Sequence, residues 1–168
     1  MVLGDPPDPA QAQAGQPFVD EAGALLDQML RAVGVRRLGP ALPGAPALPD
    51  AAPRAYLSLA LKCHPAVPTA PDADSLQTCA HWLRREIALI QPRVILAMGR
   101  IAAQTLLAAD APEVNKTPLG RLRGRLWQHQ GIPVVVTYSL GSLLRTPTAK
   151  AGAWEDLCQA LQVLEDRA

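Results

Sequence analysis

Aromatic residues are scarce in this chain: one phenylalanine, two tyrosines and three tryptophans make up 4% of 168 residues. Stacking chemistry therefore has few candidates, and Phe18 is the only side chain of its kind. Net charge is nearly absent as well, at +1, so any affinity for nucleic acid must come from a local patch. No apolar run approaches the roughly 20 residues that a membrane span needs, and the start lacks a basic region ahead of an apolar stretch. The expectation is a soluble, cytoplasmic protein with no membrane partner. Three cysteines cannot all pair, which argues against a disulfide framework and leaves thiols or metal ligands.

Proline is plentiful, and five of the 17 fall between positions 36 and 54, which reads as an irregular connection within one domain spanning 1–168. Ahead of it, Ala22, Leu25, Leu26, Met29, Leu30 and Val33 recur at helical spacing, with Gly34 as a stop. Tyr56 to Leu61, Val94 to Met98 and Pro133 to Tyr138 are short apolar runs of the kind that form buried parallel strands. Met1-Val2-Leu3 reads as the end of a further strand, as though the N-terminus were truncated. Between the strands, Asp74 or Ser75 is placed to cap a helix over 76–90 that buries Trp82, Leu83, Ile87 and Ile90. Gly99 opens a helix to about Leu107, and residues 148–164 form a closing helix through Trp154, Leu157, Leu161 and Leu164. Strands alternating with helices predict a three-layer α/β/α sandwich around a mainly parallel, four-stranded sheet. In such sheets ligands bind beyond the carboxyl ends of the strands.

Several short segments at those ends carry more than fold information. Gly4-Asp5-Pro6-Pro7-Asp8 is followed by Gly15-Gln16-Pro17-Phe18-Val19. Lys62-Cys63-His64-Pro65, Cys79-Ala80-His81-Trp82-Leu83 and Leu122-Arg123-Gly124-Arg125 come next. Gly131-Ile132-Pro133-Val134, Tyr138-Ser139-Leu140-Gly141-Ser142-Leu143-Leu144-Arg145 and Ala153-Trp154-Glu155-Asp156-Leu157 complete the series. In this order and at these spacings they resemble the motifs of the family 4 uracil-DNA glycosylases.

The resemblance implies a site that receives a base flipped out of DNA. Phe18 matches the family aromatic that stacks on the base, with a core side chain as the alternative, and Pro6 and Leu59 would line the same pocket. Leu59 stands where the family has a base-reading asparagine, and a leucine forms no hydrogen bonds. Ser139 replaces the family histidine that stabilises the departing base, and Leu140 the proline after it; losing one such donor typically costs about 100- to 1000-fold in rate. Asp5 keeps a carboxylate at the family's acidic position, with a turn or helix-capping aspartate as the other reading. A basic patch of Arg121, Arg123, Arg125 and Arg145, with Ser142, would meet DNA, or else stand as a solvated loop.

Cys63 and Cys79 have the spacing of the second pair of cysteines holding the family's [4Fe-4S] cluster, and four thiolates are needed. The expectation is no cofactor in the chain as written, and a cluster only with a longer N-terminus carrying an upstream Cys-x-x-Cys. Cys158 reads as a buried thiol on an apolar face. His64, His81 and His129 show no ligand spacing and read as surface or structural residues.

Two functions follow. One is a catalytically degenerate member acting as a DNA- or replisome-binding module, in the manner of the psi subunit of the DNA polymerase III clamp loader, whose core is similar in fold. The other is an active glycosylase that excises uracil or a related damaged base. The partners implied are uracil-containing or single-stranded DNA, or a replisome subunit, with the chain a monomer or part of a hetero-complex.

Overall fold

A computed structural model of the chain describes residues 1–39, 49–64 and 71–166. Strand β1 (Val2–Gly4) is wholly buried. It leads into α1 (Pro9–Ala14), which opens with a proline at its first turn under an Asp8 cap and closes on Gly15 at φ 64°, a left-handed conformation natural to glycine. Helix α2 (Asp20–Ala32) follows. Strands β2 (Arg36–Arg37) and β3 (Arg54–Ala55) pair in parallel as a small sheet of their own. Much of the proline-rich connection expected between them lies outside the described residues.

The main sheet begins again at β4 (Leu57–Leu59) and continues through β5 (Ile95–Met98) and β7 (Ile132–Thr137), with α3 (Ala73–Ile90) and α4 (Arg100–Leu107) between them. After α4 come a 3-10 turn at Pro112–Asn115, α5 (Leu119–Leu122) and β6 (Leu126–His129). Helix α6 (Leu140–Arg145), a second 3-10 turn at Pro147–Ala149 and α7 (Lys150–Glu165) complete the described chain. The strand order is β4-β1-β5-β7-β6, parallel throughout except for β6.

The sheet therefore has five strands rather than the four expected. The extra one, β6, forms a hairpin with β7 through Gln130 and Gly131, at φ 50° and 81°. Two successive left-handed residues make the turn whose twist suits a two-residue hairpin.

Alternation along the strands divides the core into two layers. Leu3, Ile95, Ala97, Val134 and Val136 meet α3, α4 and α5, while Val2, Leu96, Met98 and Val135 meet α2, α6 and α7. This is the expected α/β/α sandwich, each fully buried aliphatic side chain contributing about 1.5–3 kcal/mol.

Three details differ from expectation. Asp72, not Asp74 or Ser75, caps α3, its carboxylate accepting from the Ser75 N–H at 2.6 Å. Only Leu83 and Ile87 of the expected α3 face are buried, and Trp82 (59% exposed) and Ile90 (38%) are not. Leu83 and Ile87, one turn apart, set the buried stripe, and Trp82 is rotated about 100° from it. On α7 the buried positions are Ala153, Asp156, Leu157 and Ala160, so Trp154 and Cys158, a turn apart on another side, are both exposed.

Candidate active site at the strand ends

Pairing across the sheet sets Leu59, Gly4, Met98 and Thr137 side by side at the carboxyl ends of β4, β1, β5 and β7. The loops that follow, carrying Asp5, Ala60, Gly99 and Tyr138-Ser139, thus leave the sheet along one rim. The segments singled out in the sequence at positions 4–8, 59–64 and 138–145 converge there.

Asp5 is turned toward α4. Its Oδ1 accepts the Ala102 N–H at 3.0 Å, and the N–H groups of Ile101 and Arg100 also point to the carboxylate. Burial raises the Asp5 pKa above the usual carboxylate value, although these three N–H groups act in the opposite sense. Gly99, at φ 112°, leaves the space that the carboxylate occupies, and a Cβ there would collide with it. Asp5 therefore sits at a helix N-terminus, whose free N–H groups and dipole favour its charged form against the larger effect of burial.

Phe18 is buried, 4% exposed, and its Cζ and Cε1 atoms lie against Gly4 together with Leu59 Cδ2. A Cβ on Gly4 would meet Phe18 at 2.6 Å, so the ring has its seat only because that residue is glycine. Phe18 itself sits at φ 55°, an uncommon conformation for a bulky side chain that costs about 1–3 kcal/mol. Pro6 is half-buried in the loop between Gly4 and α1.

Ser139 caps α6. Its Oγ accepts from the Ser142 N–H at 3.4 Å and donates to Ser142 Oγ at 3.2 Å, so its proton is directed along the helix. Arg145 ends α6 in solvent, and Arg125 is exposed with its guanidinium over the Trp127 ring at 4.7 Å. Arg121 is exposed too. Arg123, expected beside them on the DNA-facing loop, is instead held within the fold. Its Nε donates to Asp156 Oδ2 at 2.6 Å and its Nη1 to the Tyr138 hydroxyl at 3.0 Å, with the guanidinium 4.3 Å from the Tyr138 ring centroid. Burial works to lower the Arg123 pKa, but the bonds to Asp156 and Tyr138 outweigh it and leave the value raised.

A second network went unread in the sequence. Lys62 Nζ donates to Ser58 Oγ at 2.6 Å, to Glu86 Oε2 at 2.8 Å and to the Leu59 carbonyl at 3.1 Å, while Ser58 Oγ donates to Glu86 Oε2 at 2.6 Å. It ties the end of β4 to α3. Burial and the nearby Glu86 carboxylate raise the Tyr56 pKa. The four-residue spacing of Ser58 and Lys62 was visible, but Glu86 joins them only through the fold.

The family model described as the uracil DNA glycosylase superfamily matches residues 1–158. The chain belongs to the uracil-DNA glycosylase superfamily. It is 29% identical to the Type-4 uracil-DNA glycosylase of Pyrobaculum aerophilum over 161 residues, covering 94% of this chain and 74% of the relative. Its match to the Type-4 enzyme of Archaeoglobus fulgidus is 27% identical, over 88% of this chain and 67% of the relative. A Type-5 uracil-DNA glycosylase of Thermus thermophilus matches at 35% over 98 residues, 57% of this chain and 43% of the relative.

The iron–sulfur cluster implied by likeness to family 4 needs four thiolates. Cys63 is exposed and Cys79, on α3, is half-buried. Cys158 is on α7, across the sheet from α3. Among the described residues no three His, Cys, Asp or Glu side chains gather in a group able to hold a metal. The described residues by themselves do not fit the cluster. His64 Nδ1 lies 2.8 Å from the Pro7 carbonyl and His129 Nδ1 2.7 Å from that of Leu106, structural contacts in both cases. Among the described residues, no helix is long and apolar enough to cross a membrane.

Proposed function

We propose that this superfamily member binds DNA without excising a base, its former catalytic positions now serving the fold. One observation carries the reading: the side chains at both expected catalytic positions, Asp5 and Ser139, cap helices. A carboxylate that accepts from the backbone at the start of α4 has part of its acceptor capacity taken up by the fold rather than by an attacking water. A serine hydroxyl engaged by the N–H and hydroxyl of Ser142 is a short and poorly placed donor for a leaving base, and that donor is a large part of such catalysis. Leu59 adds an apolar wall where a base edge would need partners, and each unpaired polar group costs about 1–3 kcal/mol. Ser142, Arg125 and Arg145 remain as contacts for the sugar-phosphate backbone, which positions DNA without reading sequence.

The test is incubation of the purified protein with single- and double-stranded oligonucleotides containing deoxyuridine, scored for abasic sites and, separately, for binding. Binding without excision above the protein-free control is expected. Abasic sites that disappear in Phe18→Ala would overturn the reading in favour of an active glycosylase. That second reading draws support from relatives named as uracil-DNA glycosylases along nearly the whole chain. A role within the replisome, like that of the psi subunit, is a finer form of the binding reading. It requires co-purification with clamp-loader subunits at mild salt, and their absence would remove it.

A further inference from the structure

The amino ends of the strands, at the opposite end of the sheet from the rim, frame a cavity of about 260 Å³. Its floor is the base of one core layer, where Val2, Leu30, Ala55, Leu96, Leu157 and Ala160 are buried. The walls are less well covered. Val33, Val35, Leu161 and Leu164 are half-buried and Ile90 is 38% exposed, so an apolar lining is left facing water. Arg54 on β3 and Arg93 ahead of β5 line the cavity too, both exposed and therefore at its mouth. Among the described residues no side chain lining it is acidic. The amine of Met1 is also there, but it donates to the Val94 carbonyl at 2.9 Å, and burial lowers its pKa to about 6. Near pH 7 it is mostly uncharged, and the two arginines carry the positive charge.

We propose that this cavity binds a small aliphatic carboxylate, its chain on the apolar floor and its head group beside Arg54 and Arg93 at the mouth. Concave, mostly apolar sites with a few polar groups that orient the ligand are the usual form of a small-molecule pocket. The last turns of α2, α3 and α7 reach the cavity through Val33, Ile90 and Leu164, and a helix C-terminus carries about half a negative charge. An anion deep inside would oppose those ends. At the mouth a guanidinium offers a full charge and a planar pair of donors that match a carboxylate. The volume of about 260 Å³ takes roughly nine groups the size of a water molecule, at about 30 Å³ each, which sets the length of the alkyl chain. The site lies away from the rim, so the proposal stands apart from the DNA-binding reading.

The test is isothermal titration calorimetry of the full chain with sodium hexanoate, octanoate and decanoate, each below its micelle concentration. Affinity should rise about fourfold per added methylene and stop rising once the cavity is full. Octylammonium, with the same chain and the opposite charge, should not compete with octanoate. Arg54→Gln and Arg93→Gln should each weaken octanoate binding about 2- to 5-fold. Ala160→Leu, which fills the floor, should abolish binding, and Val35→Phe, at a half-buried wall, is the second variant should Ala160→Leu not fold. Absence of decanoate binding, equal binding of octylammonium, arginine variants without effect, or octanoate binding that survives a folded filling variant overturns the proposal.

Discussion

Asp5 and Gly99 show how one residue's role depends on another far away in the chain. The carboxylate fits because Gly99 has no side chain, and Gly99 tolerates φ 112° for the same reason. Gly99→Ala should therefore destabilise the protein by about 3 kcal/mol or more, through backbone strain and collision with Asp5 together, measured by denaturant unfolding. The raised pKa of Asp5, caused by its burial, sets a pH dependence. A group whose pKa is higher in the folded protein contributes stability in acid and loses it as pH rises through that value. Asparagine does not titrate. The melting temperature of Asp5→Asn should accordingly improve relative to wild type as pH rises from about 3 through the raised value; a gap that stays constant or widens against the variant would contradict the assignment. The capping alternative for Asp5 was legible in its residue type. Its partners at Arg100 to Ala102 were not, since they belong to an element nearly a hundred positions away.

Among the elements, helices were read better for their existence than for their faces. Apolar spacing locates α2, α3 and α7, yet Trp82, expected on the buried face of α3, is exposed, as is Trp154 on α7. Which stripe of a helix meets the sheet depends on how the helix is docked, and on α3 the stripe runs through Leu83 and Ile87. Strand β6 is not legible in the sequence, because Leu126 to His129 is a short segment of mixed polarity that pairs on one side only. For α6, Ser139 is the cap. Ser139→Ala should cost about 1 kcal/mol of stability, while Ser139→Asp, which restores an acceptor, should cost little; thermal melts of the two variants check this. Ser139→His should lose the cap as well and, with Leu59 still in place, yield no uracil excision in the abasic-site assay.

For the whole molecule, the interlock of Arg123, Asp156 and Tyr138 joins the loop before β6 to the end of β7 and to α7. Asp156 is 2% exposed on its side chain and Arg123 14%. Removing either partner leaves a buried charge alone, so Arg123→Ala should destabilise the protein by about 3–5 kcal/mol, and any DNA affinity it loses should follow its loss of fold. Arg145→Ala and Arg125→Ala should act differently. They should keep the melting temperature while weakening DNA binding and lowering the salt slope by about 1 for each phosphate contact removed.

The superfamily, the alternation of strands and helices, and the rim where the motifs meet are legible in the sequence, because these follow from local spacing and from the order of short segments. The roles of individual side chains at that rim depend on packing. Whether Asp5 faces a water or a helix terminus, and whether Arg123 meets a phosphate or Asp156, depend on groups distant in sequence that packing brings within hydrogen-bond reach.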